Sequence, residues 1–217
     1  MCVLYDRVMP GARRYVPAAS LDALLPVYDP IMRLLRFKAA LGPLLAQADL
    51  RPGFRLLDIG CGTGTLAVML VTACRDLSIA AIDPDPRALA RAAAKARLAG
   101  APVHFDRGFA DALPYRTATF DRVFSSMMFH HVPRGEKPGV LREVRRVLKP
   151  GGRLEFLDFA GGRHSRLGHV LHGRRESAAA GDRLLRLMRD CGFVEARHLG
   201  SRRTIAGAIA YYQATVA

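Results

Sequence analysis

The sequence has few cysteines and very few lysines. Its four cysteines form no C-x-x-C pair and show no metal-ligand spacing with histidine, which argues against a disulfide framework and a zinc site. We therefore expect no metal and a reduced, cytoplasmic protein. Only four of the 33 basic residues are lysine, so the formal charge of +14 reflects an arginine-rich composition more than a surface selected to bind polyanions.

Long apolar runs are also absent. Residues 1–20 carry scattered charge and prolines where a signal peptide would have an apolar core, so we expect no export signal. The late uncharged run, residues 204–217, is too short for a membrane helix and alternates as a strand does. Half of the 217 residues are apolar, which predicts one folded α/β domain with a well-buried core.

The most informative stretch is L-L-D-I-G-C-G-T-G at residues 56–64. The apolar run predicts a buried parallel strand, and glycines at alternate positions predict a turn with positive φ whose backbone a ligand can approach. A nicotinamide dinucleotide site would have G-x-G-x-x-G, whereas the spacing here is G-x-G-x-G. The carboxylate of Asp58 would repel a pyrophosphate, but it suits a ligand that carries an ammonium and a sulfonium.

This motif resembles that of the class I S-adenosylmethionine-dependent methyltransferases, and the resemblance covers about residues 50–160 and continues more faintly to the end. It implies that S-adenosyl-L-methionine is the methyl donor and S-adenosyl-L-homocysteine the product, with no metal. Donor contacts are expected in the glycine turn and after the second, third and fourth strands. The donor-binding residues so predicted are Asp58, Gly60, Cys61, Gly62, Thr63, Gly64, Asp83, Pro84, Phe109, Ala110 and Ser126.

The strongest single donor residue in this prediction is Asp83. The short apolar run 77–82 predicts the second strand, and Asp83 ends it 23 residues past Gly60, where an acid can accept both ribose hydroxyls. Pro86 suits the first turn of an alanine-rich helix, which completes a right-handed crossover unit. Asp85 is the fallback.

A second resemblance lies at residues 108–115, which are similar to the family segment G-D-A-x-x-L-P. Phe109 stands where the family usually has an aspartate that accepts the adenine amino group. That hydrogen bond is therefore lost, supplied by Asp111, or replaced by stacking on the Phe109 ring. The backbone of Ala110 can still reach the adenine.

The predicted acceptor residues follow the fourth strand, residues 120–126, because open parallel sheets bind ligands at the carboxyl ends of their strands. The segment M-M-F-H-H lacks the (D/N)-P-P-(Y/F) signature of many base-methylating enzymes. It resembles the L-x-x-H-H pattern of small-molecule methyltransferases, with Met127 in place of the leucine. His131, or failing that His130, would position or deprotonate the acceptor, and Met127 and His131 would contact it. An equally good interpretation of either histidine is a structural one, in which its side chain only hydrogen-bonds the backbone of the turn.

Residues 1–50 are predicted to form an arm and short helices that cap a methyltransferase domain at 51–217. Prolines at positions 26, 30 and 43 are expected to break the helices. Tyr28 and Asp29 resemble a pair in quinone-type methyltransferases that covers the donor and touches the acceptor, although simple packing of Tyr28 is an equal alternative.

The predicted fold is α/β: a Rossmann-like, seven-stranded, mostly parallel sheet with helices on both faces and an antiparallel last strand. The remaining predicted elements are a helix at 136–148, a K-P-G-G turn at 149–152, a strand at 153–159, a helical flap at 161–181, a helix at 182–191, and strands at 193–199 and 204–214.

The predicted activity is methyl transfer to a small-molecule acceptor, without a specific nucleic-acid partner. Three alternatives stay open: an RNA methyltransferase, a lipid or quinone methyltransferase in peripheral contact with a membrane, and a donor-binding protein without transfer activity. The sequence gives no expectation for the oligomeric state.

Overall fold

The computed structural model describes residues 37–160, 173–204 and 207–217, and a seven-stranded sheet runs through them. The strands are β1 (Arg55–Ile59), β2 (Ser78–Asp83), β3 (Val103–Arg107), β4 (Phe120–Ser126), β5 (Leu148–Phe159), β6 (Arg197–Thr204) and β7 (Gly207–Thr215). The helices are α1 (Phe37–Gln47), α2 (Thr65–Ala73), α3 (Pro86–Leu98), α4 (Lys137–Val147) and α5 (Gly173–Asp190).

The strand order is β3-β2-β1-β4-β5-β7-β6. Neighbouring strands from β3 to β5 pair in parallel, while β7 is antiparallel to both β5 and β6. The fold prediction is therefore confirmed, including the antiparallel last strand. The order reverses between β1 and β4, and such a point opens a ligand crevice at the carboxyl ends of the strands.

Both faces of the sheet are covered, which explains the near-continuous apolar runs of the central strands. Leu57 and Val123 point to one face, where they join the apolar residues of α4 and α5. Their neighbours Leu56 and Phe124 point to the other face, against α1 and α2. All four side chains are fully buried, so burial on both sides holds β1 and β4 in the centre of the sheet.

Helix α1 continues through Pro43, so the predicted break there is wrong. Proline lacks the N–H that would bond the carbonyl of Ala39, four residues earlier. Arg202 of β6 replaces that donor, because its Nη1 lies 3.1 Å from the Ala39 oxygen. The next carbonyl, that of Ala40, accepts from the Tyr211 hydroxyl at 2.8 Å. The sheet thus supplies the hydrogen bonds that the proline disturbs.

Three boundaries also differ from the prediction. Strand β6 begins at Arg197, because Phe193 fills the core and does not pair in a strand. Strand β5 begins at Leu148, so the K-P-G-G segment lies inside it, at an irregular register with β4. Helix α5 begins at Gly173, within the predicted flap.

Some predictions fall outside the described residues. These are the arm, the predicted helix breaks at Pro26 and Pro30, the pair Tyr28 and Asp29, and the first part of the predicted flap, residues 161–172. Among the helices of the described segments, none is both long and apolar enough to cross a membrane.

Candidate active site

The glycine turn between β1 and α2 has the backbone that its spacing predicts. Gly60, Gly62 and Gly64 have φ values of 66°, 51° and 73°, the left-handed region that glycine enters without a steric cost. The amides of Gly60 and Cys61 both donate to the Ile82 carbonyl, at 2.8 and 3.1 Å. The turn is therefore fixed to the carboxyl end of β2.

Two of these glycines are also required by close packing. A Cβ on Gly60 would lie 2.7 Å from the Cβ of Met128, and a Cβ on Gly64 would lie 2.8 Å from the Cβ of Ala92. Such distances force the surroundings to shift. The turn is thus held between the end of β4 and helix α3, where its backbone is the only part that fits.

Lys95 on α3 secures the same turn. Its Nζ donates to the hydroxyls of Thr63 and Thr65 at 3.1 and 2.9 Å, and Thr63 is buried. Sequence reasoning missed this residue. The available signal was a single lysine inside the alanine-rich stretch of α3.

Asp83 lies at the carboxyl end of β2, next to the turn. Its Oδ2 accepts from the Gly62 amide and its Oδ1 from the Asp85 amide, both at 2.9 Å. Burial raises the pKa of Asp83 to about 6. Each carboxylate oxygen has a second lone pair, so these contacts leave acceptor capacity for ribose hydroxyls. The fallback, Asp85, caps α3 by accepting from the Arg87 amide at 2.8 Å.

Asp58 is buried in β1, on the face that carries Leu56. Burial, and then the charge of Asp83, raise the pKa of Asp58 to about 8. Its Oδ2 has no hydrogen-bond partner among the described residues. A buried carboxyl oxygen without a partner, below a turn that only glycine can form, fits a ligand with positive charge.

The predicted adenine residues follow β3 and lie beside β2. The Gly108 amide donates to the Asp83 carbonyl at 3.2 Å, and the Phe109 carbonyl accepts from Ala112 at 3.2 Å. Pro84 is joined to the same region, because its carbonyl accepts from Arg107 Nε at 3.3 Å. Phe109 and Ala110 are both half-buried. The structure therefore brings these residues to the same edge as the glycine turn, while their contact with adenine stays a prediction.

Strand β4 ends at Ser126 in an unusual backbone. Met127 has a φ of 55°, a conformation that costs a non-glycine residue about 1–3 kcal/mol and often marks a functional site. The Met127 amide donates to the Leu157 carbonyl at 2.8 Å. This bend directs the Met128 side chain over Gly60 and begins the short 3₁₀ turn Phe129–His131.

The two histidines on this turn have different surroundings. Nδ1 of His130 lies 2.6 Å from Oδ1 of Asp158, and the His130 amide donates to Oδ2 of Asp158 at 2.9 Å. The His131 ring packs on the His130 ring with a centroid distance of 4.0 Å. The structure thus gives His130 a carboxylate partner, whereas the sequence analysis preferred His131.

Asp158, near the carboxyl end of β5, is the main residue that sequence reasoning missed. It is 5% exposed and interrupts the apolar strand L-E-F-L-D-F, which was the available signal. Lys137 lies in the same cluster, with its Nζ 4.8 Å from the centroid of the Phe129 ring. Burial lowers the pKa of Lys137, and the charge of Asp158 opposes that effect.

Comparison with known proteins identifies this arrangement. Residues 56–152, from the middle of β1 into β5, match the methyltransferase domain family. A possible histamine N-methyltransferase from Thermotoga maritima has the same fold, with a TM-score of 0.64, 25% identity and coverage of 89% of this chain and 96% of that chain. Over residues 56–152 the chain is therefore similar to S-adenosylmethionine-dependent methyltransferases, in agreement with the resemblance seen in the sequence.

Two curated relatives are more similar in sequence. The chain is 40% identical over 118 residues to the 27-O-demethylrifamycin SV methyltransferase of Amycolatopsis mediterranei, covering 54% of this chain and 42% of that protein. It is 38% identical over 139 residues to the demethylmenaquinone methyltransferase of Thermus thermophilus, covering 63% and 62%. The chain thus spans less than two thirds of the length of either relative.

Proposed function

We propose that this chain transfers a methyl group from S-adenosylmethionine to a hydroxyl group of a small-molecule acceptor. The observation that carries the proposal is the pair formed by His130 and Asp158 beside the glycine turn, with 2.6 Å between Nδ1 and Oδ1. A histidine held by a buried carboxylate is a suitable general base for a hydroxyl.

The donor would be held by the backbone of residues 60–64 and by the carboxylate of Asp83, near the buried carboxyl of Asp58. When bound, S-adenosylmethionine supplies a methyl group already activated by its sulfonium. The residues around it therefore need to orient the acceptor and exclude water more than to activate the methyl group. Met128, packed over Gly60, lies between the donor turn and the histidines.

Proton transfer is the chemical role proposed for His130. The Asp158 carboxylate accepts a hydrogen bond from Nδ1, which fixes that proton and makes Nε2 the basic nitrogen. An acceptor hydroxyl gives its proton to Nε2, and Asp158 stabilises the imidazolium that results. The half-buried ammonium of Lys137 would favour the oxyanion that forms on the acceptor.

The names of both curated relatives are compatible with this proposal. One is named for O-methylation of a rifamycin precursor and the other for methylation of demethylmenaquinone. A second candidate function, methylation of a quinol ring carbon, is favoured by the second relative. It would use the same base, because loss of a hydroxyl proton also activates the neighbouring ring carbon.

Other parts of the prediction remain proposals. They are the small-molecule partner without a specific nucleic acid, the cytoplasmic location, peripheral contact with a membrane, and a cap formed by residues 1–50 in which Tyr28 touches the acceptor.

The proposed function is tested with donor labelled in its methyl group, incubated with a small-molecule extract and, separately, with total RNA at about physiological salt. We expect label in the extract that depends on the protein. Site-specific labelling of RNA with none in the extract would reverse the proposal. Tight donor binding with no label in either would instead indicate a donor-binding protein.

A further inference from the structure

A second pocket lies at the opposite edge of the sheet, where β1, β4 and β5 begin. It has a volume of about 330 Å³, which is within the range of small-ligand sites. Its lining includes Arg51, Phe54, Asp121, Arg122, Lys149 and Arg153. Because the donor turn lies at the carboxyl ends of the same strands, this pocket is separate from the site described above.

Two guanidinium groups converge at this pocket. Nε of Arg122 and Nη2 of Arg153 donate to the same oxygen, the carbonyl of Ala48, at 2.7 and 2.6 Å. This arrangement caps the end of α1, but it also places two like charges side by side. Arg122 stacks on the Phe54 ring with 4.9 Å to the centroid, so its position is fixed.

The charge of this pair is only partly compensated. Glu155 is the one carboxylate within ion-pair distance of both groups, at 3.8 Å from Arg122 and 3.4 Å from Arg153, among the residues that the structure describes. Burial raises the pKa of Glu155, while hydrogen bonds from Gln47 and Gln213 and the charges of the two arginines oppose that effect. Burial and the Arg153 charge both lower the pKa of Arg122. The pair therefore stands in surroundings where an additional anion would be favourable.

Hydrogen-bond donors also exceed acceptors here. The two guanidinium groups carry about ten N–H donors, and the described residues accept three hydrogen bonds from them. Nε of Arg153 is buried and lies 3.4 Å from Oε1 of Glu155 without forming a hydrogen bond among those residues. Guanidinium groups with N–H donors left over can donate to two oxygens of one phosphate group at the same time.

The rim of the pocket adds further charge of both signs. Lys149 Nζ contacts both oxygens of Asp121 at 2.8 Å, and Arg51 contacts Asp49 at 2.9 Å. The lining contains four cationic and two acidic side chains. With Glu155, which pairs with both arginines, one positive charge remains in excess, which favours an anionic group.

We propose that this pocket binds the phosphate group of a small molecule, with Arg122 and Arg153 as its main contacts and Arg51 on the rim. A ligand there would join the end of α1 to the first residues of β4 and β5. It should therefore stabilise the folded chain in proportion to its occupancy.

The test compares sodium phosphate with sodium chloride at equal ionic strength, in thermal unfolding and in calorimetry, because general screening acts alike in both salts. We expect a saturable rise in Tm with phosphate alone. Arg153→Gln and Arg51→Gln should each weaken phosphate binding on the order of tenfold. Arg142→Gln, an exposed arginine on α4, is the matched control and should bind phosphate as the wild type does.

Ribose 5-phosphate provides a second arm. Tighter binding of the ester than of inorganic phosphate would support a phosphorylated metabolite as the ligand, and equal binding would support the free anion. If Arg153→Gln fails to fold, Arg51→Gln decides, because its side chain is exposed. The proposal is overturned if phosphate and chloride act alike, or if Arg51→Gln binds phosphate as tightly as Arg142→Gln does.

Discussion

The two edges of the parallel sheet carry opposite charges. At the carboxyl ends of the strands the buried charged groups are acids, namely Asp58, Asp83, Asp85 and Asp158. At the amino ends, the pocket is lined by two converging arginines and two further cations. The strands run side by side in parallel, so each edge collects the residues that precede or follow every strand.

This separation shows that net charge is a poor guide to the ligands of the protein. The chain has a formal charge of +14, yet the edge that carries the glycine turn concentrates buried acidic side chains. A donor with a net positive charge is complementary to that edge. Basic side chains instead line the pocket at the other edge, where we expect a phosphate group to bind.

The largest expected effect comes from breaking the glycine turn with Gly60→Ala. Alanine at positive φ costs about 1–2 kcal/mol, and the contact with Met128 adds about 1–3 kcal/mol of overpacking. Gly100→Ala is a matched control, because Gly100 has a similar φ of 60° but nothing within 4 Å of the added Cβ. Thermal unfolding and calorimetry should show a larger loss of stability and of donor affinity for Gly60→Ala. Equal losses in the two variants would contradict the packing at Gly60.

Replacing Asp83, at the end of β2, is expected to weaken binding of the donor without a comparable effect on the fold. Asp83→Ala deletes a charge-assisted acceptor worth about 1.5–3 kcal/mol, or about ten- to a hundredfold in donor affinity. In the wild type, affinity should also fall as the pH drops below about 6, where Asp83 becomes protonated. Calorimetry across pH checks both statements, and unchanged affinity in Asp83→Ala would remove Asp83 from the donor site.

The buried acids also predict how stability depends on pH. Burial raises the pKa of Asp58 in the folded state to about 8, from an ordinary value of about 3.8. The folded state therefore keeps a proton that the unfolded state has released, and stability falls as pH rises from about 4 to about 8, by at most about 1.4 kcal/mol per unit. Asp58→Asn should flatten this slope in denaturant unfolding. A slope that the substitution leaves unchanged would place the titrating group elsewhere.

The smallest expected effect is at Phe109. If its ring packs on the adenine, Phe109→Asp exchanges apolar contact for a partly buried charge, and donor affinity should stay equal or fall. Phe109→Leu keeps an apolar side chain and serves as the control. A marked gain in donor affinity for Phe109→Asp would contradict packing of the ring on the adenine. It would mean that phenylalanine in place of the family's aspartate only weakens the site.

The fold and the backbone of the glycine turn could be predicted because their signals are local. The apolar runs around Leu57 and Val123, the alternate glycines and the position of Asp83 each depend on a few adjacent residues. Contacts that depend on distant segments could not be predicted in this way. Arg202 supports the helix at Pro43 from the other end of the chain, and no local pattern reports it.

The contact between His130 and Asp158 illustrates the same limit. His130 follows β4, and Asp158 lies near the carboxyl end of β5, 28 residues later in the sequence. The two residues meet only because β4 and β5 are neighbours in the sheet. The sequence indicated two histidines at this edge and preferred His131. The buried carboxylate on which our proposal for His130 rests is visible only in the folded chain.

The measurement that tests the central claim most directly is the rate of methyl transfer by His130→Gln, with donor affinity measured in the same preparation. Loss of a general base lowers a rate by about 10²–10⁴-fold, so we expect a fall of that size in kcat with donor binding retained. His131→Gln is the matched control and should lose much less. A normal rate in His130→Gln, or equal losses in both variants, would contradict the assignment of His130 and Asp158 as the base.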